Sequence, residues 1–293
     1  MQLDRTSIVI RERGFLEILD LSLRVVARYG VPLFWCWVAA AIPLMWINYL
    51  LTNWMTIDLD DADMVIRYVG TMILLVLLQA PLVSIFMTTY LGRAVFLSAS
   101  SRVALLEDVW RSTTPLVWCV MILRAAAISW VLVYFAWRAL RPAGLELILL
   151  VLAIAAVAVR GMRPYLMEII LLERNPIRAQ NESELSVARR SRALHGPNTG
   201  DLLGRWFAAA CVSIALSVSM VLTAWFVSGM VFLHWNWGVW MIHIVVPVAL
   251  WTVAGFMAVV RFLSYMDLRI RNEGWEVELL LRAAAERYQE KAV

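Results

Sequence analysis

The chain has 293 residues, of which 62% are hydrophobic and 16% charged, with a net charge of +4. A soluble domain carries about 25% charged residues, so the composition excludes an ordinary soluble enzyme, a disordered chain and a coiled-coil rod. It describes an integral membrane protein, and the small basic excess reads as the charge bias of such a protein, not as a nucleic-acid surface.

The first 15 residues, MQLDRTSIVIRERGF, are too charged to contain the apolar core of a signal peptide. The first span is therefore expected to act as an uncleaved anchor. Residues 12–29 follow as an amphipathic helix. Arg13, Glu17, Asp20, Arg24 and Arg28 fall on one stripe, and Phe15, Ile18, Leu19, Val25 and Val26 cover the rest. Such a helix lies in the membrane interface or under a bundle.

A helix needs about 20 apolar residues to cross the hydrocarbon core. Six segments meet this: 31–51, 68–91, 114–137, 145–163, 206–233 and 240–262. The fourth is expected to continue past Arg160 and Arg163 as one long helix bent near Pro164. The reading is all-α: an N-terminal amphipathic helix (1–30), a six-helix transmembrane domain (31–262) and a helical tail (263–293). Cytoplasmic helices at 101–112 and 182–195 would precede spans three and five. Asn181 to Glu184 approximates a capping box for the latter, and Gly196–Pro197 is a stop signal. The near-match of PLFWC (32–36) with PLVWC (115–119) suggests three repeated helical-hairpin units, each starting on the same side.

Orientation follows from the basic residues. Of the 26, 22 fall before span one, between spans two and three, between spans four and five, and in the tail. Only Arg67, Arg138 and Arg141 fall on the other side, and Arg124 lies inside span three. The positive-inside rule then puts both termini in the cytoplasm.

Chemistry-bearing residues are few. Arg124 is expected to face protein or water and to have a partner, because a charge at the bilayer centre costs at least about 2.5–3.5 kcal/mol. Glu168 is the nearest carboxylate by depth, so Arg124 and Glu168 form the candidate intramembrane ion pair. In the tail, Asp267 with Arg271 and Arg269 with Glu273 are i,i+4 pairs, a candidate structural clamp or partner-docking site, and Gly274 is expected to break or redirect the helix. The acidic loop TIDLDDAD lacks the glycine and distal Glu of a calcium loop. His234 and His243 have no third ligand, and Cys36, Cys119 and Cys211 have no metal spacing. No catalytic residue, metal site or cofactor is therefore assigned.

Three stretches carry a resemblance. ERGFLEILDLSLRVVARYGVPLF leads into span one; LLERNP (171–176) is followed by SVARRSRALHG; and DLRIRNEGWEVEL (267–279) forms the tail. Together they resemble a broad group of bacterial six-span proteins similar to the membrane domain attached to some glycerophosphodiester phosphodiesterases. The resemblance implies an all-helical module without catalytic residues of its own, and the phosphodiesterase domain is absent here.

Two functions are expected from these features. The first is a non-enzymatic scaffold, anchor or regulatory subunit for a protein partner, or a homo-oligomer, acting through the basic cytoplasmic face. The second is a transporter or lipid-handling protein with a cavity near Arg124, Gln79 and Pro247.

Overall fold

A computed structural model describes residues 13–56, 62–96, 121–139, 144–173, 186–233, 235 and 237–291, with backbone alone for 62, 96, 121–126, 139 and 273–291. All regular structure among these residues is helical.

Helix α1 (Phe15–Thr52) joins the amphipathic segment to the first span without a gap. The sequence reading put two elements here. The boundary survives as a kink at Tyr29, with φ −109° and ψ 21°. Pro32 explains it: proline cannot donate to the carbonyl of Arg28, and its ring pushes that carbonyl away. A 3₁₀ turn (Asn53–Thr56) ends the segment. Helix α2 (Ala62–Phe96) contains Pro81, and α3 spans Met121–Ala139.

Helix α4 (Leu145–Met162) starts after Gly144, whose φ of +92° is a left-handed conformation that disfavours a side chain. The expected bend near Pro164 is a full break. The chain leaves helical geometry at Arg163 (φ −138°, ψ 68°) and resumes as α5 (Leu166–Glu168) with a π turn over Ile169–Glu173. Helix α6 (Val187–His195) is capped by Ser186, whose Oγ accepts from the Arg189 amide at 3.3 Å. Asn181 and Glu184 lie outside the described residues.

Helix α7 (Thr199–Phe232) follows. A π turn (Met241–Val245) then leads into α8 (Val246–Lys291). The helix runs through Gly274 unbroken, correcting the expected break. A helical glycine costs only about 1 kcal/mol relative to alanine, too little to end a helix that strong formers continue.

Five helical stretches are long and apolar enough to cross a membrane: Phe15–Thr56, Asp63–Val95, Leu145–Met162, Thr199–Phe232 and Met241–Asn272. The chain is therefore a multi-pass membrane protein. In α3 the described apolar stretch, Ala127–Arg138, is shorter. The segments 101–112 and 115–119, on which the repeat rests, lie outside the described residues.

Helices α2 and α8 form the centre. About half of each one's apolar window is buried, whereas none of α7's is. Trp251, Tyr68, Phe262, Leu75 and Leu78 are fully enclosed. Trp35, Trp46, Ile154, Phe207 and Phe226 point outward, where lipid would meet them. Lipid tails are as apolar as leucine, so such helices associate through close packing and polar contacts. Close packing is visible at Gly255 of α8, where a Cβ would lie 2.7 Å from the Trp37 ring of α1. The Trp37 indole N–H also donates to the Trp251 carbonyl at 2.9 Å.

Polar contacts tie the rest. Asn48 and Gln79, both fully buried, exchange amide hydrogen bonds of 2.9 and 3.0 Å between α1 and α2. The Trp130 indole of α3 donates to the same Asn48 oxygen at 3.0 Å. At the opposite end of the bundle from α6, Arg67 of α2 pairs with Glu146 of α4 at 2.7 Å.

Candidate functional site

Pro81 lacks an N–H, so the Leu77 carbonyl has no helical donor. Arg160, near the end of α4, takes that place. Its Nη1 donates to the Leu77 carbonyl, and its Nη2 donates to the Leu78 carbonyl at 2.9 Å. Its Nε has no hydrogen-bond partner. On α8, Arg261 Nε donates to Glu168 at 2.6 Å and its Nη2 to Ser84 Oγ at 2.7 Å. Glu168 is completely buried.

Just beyond, Asp267 binds three elements together. Its Oδ1 accepts from the Arg13 amide at 2.9 Å, and its Oδ2 accepts from Arg205 Nη1 of α7 at 3.0 Å. Arg271 forms an ion pair with it at 3.0 Å and also donates to the Arg13 carbonyl at 2.7 Å. Asp201 holds Arg205 at 3.0 Å from the far side. The start of α1, the start of α7 and the middle of α8 are fixed to one another by this cluster.

A third cluster joins two of the stretches singled out in the sequence. Glu173 accepts from Arg190 Nε and Nη2 at 2.7 and 2.9 Å, and from the Tyr265 hydroxyl at 2.6 Å. Beside it, Tyr165 and His195 stack with ring centroids 6.0 Å apart. Burial lowers the proton affinity of His195 below the usual histidine value. Burial likewise pushes the Tyr165 phenol up to about 12, so it stays protonated.

Five residues of these clusters, Arg160, Arg205, Arg261, Ser84 and Tyr165, reach a cavity of about 500 Å³ between α2, α4, α7 and α8. Arg160, Arg205, Arg261, Tyr165, Ser84 and Ser264 supply its polar wall. Leu77, Ile214, Val218 and Met257 are among its apolar residues. A second, almost wholly apolar groove of about 900 Å³ runs on the other flank of α7, against α1 and α8. Val253 borders both.

The sequence-derived residues fare unevenly. Asp267 and Arg271 meet as expected, and Asp267 is far more deeply engaged than an i,i+4 pair requires. Glu168 pairs with Arg261; the side chain of Arg124 lies outside those described. The side chain of Glu173's namesake in the tail, Glu273, also lies outside them, so its pairing with Arg269 is not described. Gln79 is consumed by Asn48, and neither Gln79 nor Pro247 lines the two cavities. Sequence reading missed Arg160, Arg205 and Ser84 as site residues. The available signal was Pro81, which exposes the carbonyl that Arg160 reaches.

Compared with protein-family models, curated proteins and solved structures, the chain matches none of them significantly.

Proposed function

We propose that the protein handles a membrane lipid, held in the cavity between α2, α4, α7 and α8. The observation that carries this is the placement of Arg160, Arg205 and Arg261 in one wall of a cavity whose other walls are apolar. An amphiphile needs both surfaces. Depth agrees. Arg261 lies roughly 30 Å along its helix from Met241 at about 1.5 Å per residue, which is the thickness of the hydrocarbon core. Arg261 therefore sits near headgroup level, and Arg205, paired with Asp267 further along the same helix, lies beyond it. The cavity is drug-sized, enough for a headgroup and its glycerol, with acyl chains running beside the loosely packed α7.

The same reading includes six spans. Leu172, in the turn after α5, packs on Gly92 near the end of α2, whereas α4 begins at the opposite end beside Arg67. This supports a further crossing by the chain between them, with α3 packed against α1, α2 and α4. With the basic residues gathered at the Asp267 end, this supports a bacterial plasma-membrane protein with both termini cytoplasmic, as the resemblance to the phosphodiesterase-linked six-span proteins implies.

A scaffold role keeps one supporting observation. Helix α8 has 46 residues, roughly 69 Å at about 1.5 Å per residue, so its last turns extend past the bundle toward any partner. The buried Asp267 and the partly exposed Arg271 are occupied internally, which favours the clamp over a docking role for them.

Photoreactive phospholipids carried in nanodiscs test the lipid reading. Cross-links mapped to Ala209, Ala210, Ser213 and Ser217, all on the cavity side of α7, are expected. Labelling spread evenly around α7 would count against it.

A further inference from the structure

We infer that the cavity selects a lipid whose headgroup carries a single negative charge. This rests on the lipid reading above and concerns which lipid is bound.

The argument is one of charge. Two of the three cavity arginines are already neutralised from outside the cavity. Arg205 is held by Asp267 and Asp201. Arg261 is held by Glu168, which is fully buried and does not line the cavity. Arg160 is different. Its partners are the neutral carbonyls of Leu77 and Leu78, no carboxylate reaches it among the described residues, and its Nε is left without an acceptor. Among the described residues, the cavity wall therefore carries one uncompensated guanidinium.

Buried cations in membranes pair with an anion or with carbonyls. Here the two carbonyl bonds use two of the five guanidinium N–H donors and leave the charge uncompensated. A phosphodiester oxygen supplies the missing charge and an acceptor for the remaining Nη hydrogens, and guanidinium groups suit that geometry. Tyr165, kept protonated by its burial, lines the same cavity and adds a neutral donor. A zwitterionic headgroup leaves a second cation near Arg160 and Arg261, and a dianionic one exceeds the single charge on offer. A phosphatidylglycerol-type lipid fits; the same chemistry in free inorganic phosphate lacks the apolar part.

The test is spin-labelled lipid association with the full chain in nanodiscs of phosphatidylcholine. Phosphatidylglycerol is expected to associate about fivefold to tenfold more strongly than phosphatidylcholine, the effect of roughly one basic residue at a membrane surface or somewhat more. Arg160→Gln, which retains an amide donor for the α2 carbonyls, removes the preference. Glu168→Gln, which adds one net positive charge, keeps or raises it. Millimolar inorganic phosphate does not compete. Equal immobilisation of both lipids overturns the charge selection while leaving the lipid reading standing. Absence of any immobilised lipid overturns both. Competition by inorganic phosphate, or an unchanged preference in Arg160→Gln with native helicity, also overturns the assignment.

Discussion

Arg160 donates to the carbonyl of Leu77, the acceptor in α2 whose helical donor is replaced by the ring of Pro81. A proline that looks like a defect in one helix is thus the attachment point for a cation from another. The tie links α4 to α2 and holds Arg160 at the cavity wall.

This relationship predicts coupling. Pro81→Ala restores the helical donor and competes for the Leu77 carbonyl. In a double-mutant cycle with Arg160→Leu, which removes the donor, an interaction of about 1 kcal/mol is expected, the net worth of a typical hydrogen bond. Unfolding in mixed micelles measures it. Losses that simply add would remove the link.

Asp267 is predicted to be the most sensitive carboxylate in the described bundle. It is 2% exposed and meets Arg205, Arg271 and the Arg13 amide. Asp267→Ala should cost about 3 kcal/mol, the lower end for breaking a buried pair, because Asp201 still holds Arg205. Asp20 is the contrast: it pairs with Arg24 at 2.9 Å, but both are mostly exposed, so Asp20→Ala should cost under about 1 kcal/mol. Equal losses would deny the clamp.

Asn48 and Gln79 should be coupled more weakly. Interhelical hydrogen bonds within membranes average about 0.6 kcal/mol, and this pair makes two. A cycle of Asn48→Leu with Gln79→Leu is expected to give about 1 kcal/mol. Leaving Gln79 alone should be worse than replacing both, since it is then buried without its partner, whereas a surviving Asn48 keeps the bond from the Trp130 indole.

His195 gives the pH dependence. Burial lowers its proton affinity from the ordinary value of 6.5, so protons favour the unfolded chain. Its contribution to stability is full above that value and declines as the pH falls below it. Unfolding followed between neutral and mildly acidic pH should show this slope, and His195→Gln should flatten it just below pH 6.5.

The helices themselves were legible because a membrane needs long apolar runs, and apolar runs are read directly from residues. Pro32 marked the joint between the N-terminal segment and the first span, although the joint is a kink and not a gap. Residues 171–173 and 187–196 stood out as separate stretches, and Glu173 with Arg190 turns out to be what joins them. The cavity was not legible at its true position. Lateral packing decides which face of α7 meets α4 and α8, and the apolar faces of a membrane helix look alike in sequence. Arg261 lies at the end of the sixth apolar segment, yet its partner is Glu168 on another element. Depth along a helix was readable; the partner across a helix interface was not.

The central claim is that a lipid occupies the cavity beside α7. Native mass spectrometry after detergent extraction tests it most directly. Ala210 lines the cavity, so Ala210→Trp fills it, while Leu222, half exposed on the same helix, serves as the control for Leu222→Trp. The account predicts one retained phospholipid per chain in the parent protein and in Leu222→Trp, and none in a folded Ala210→Trp. A parent protein that retains no lipid, or an Ala210→Trp variant that retains as much as the parent, would contradict it.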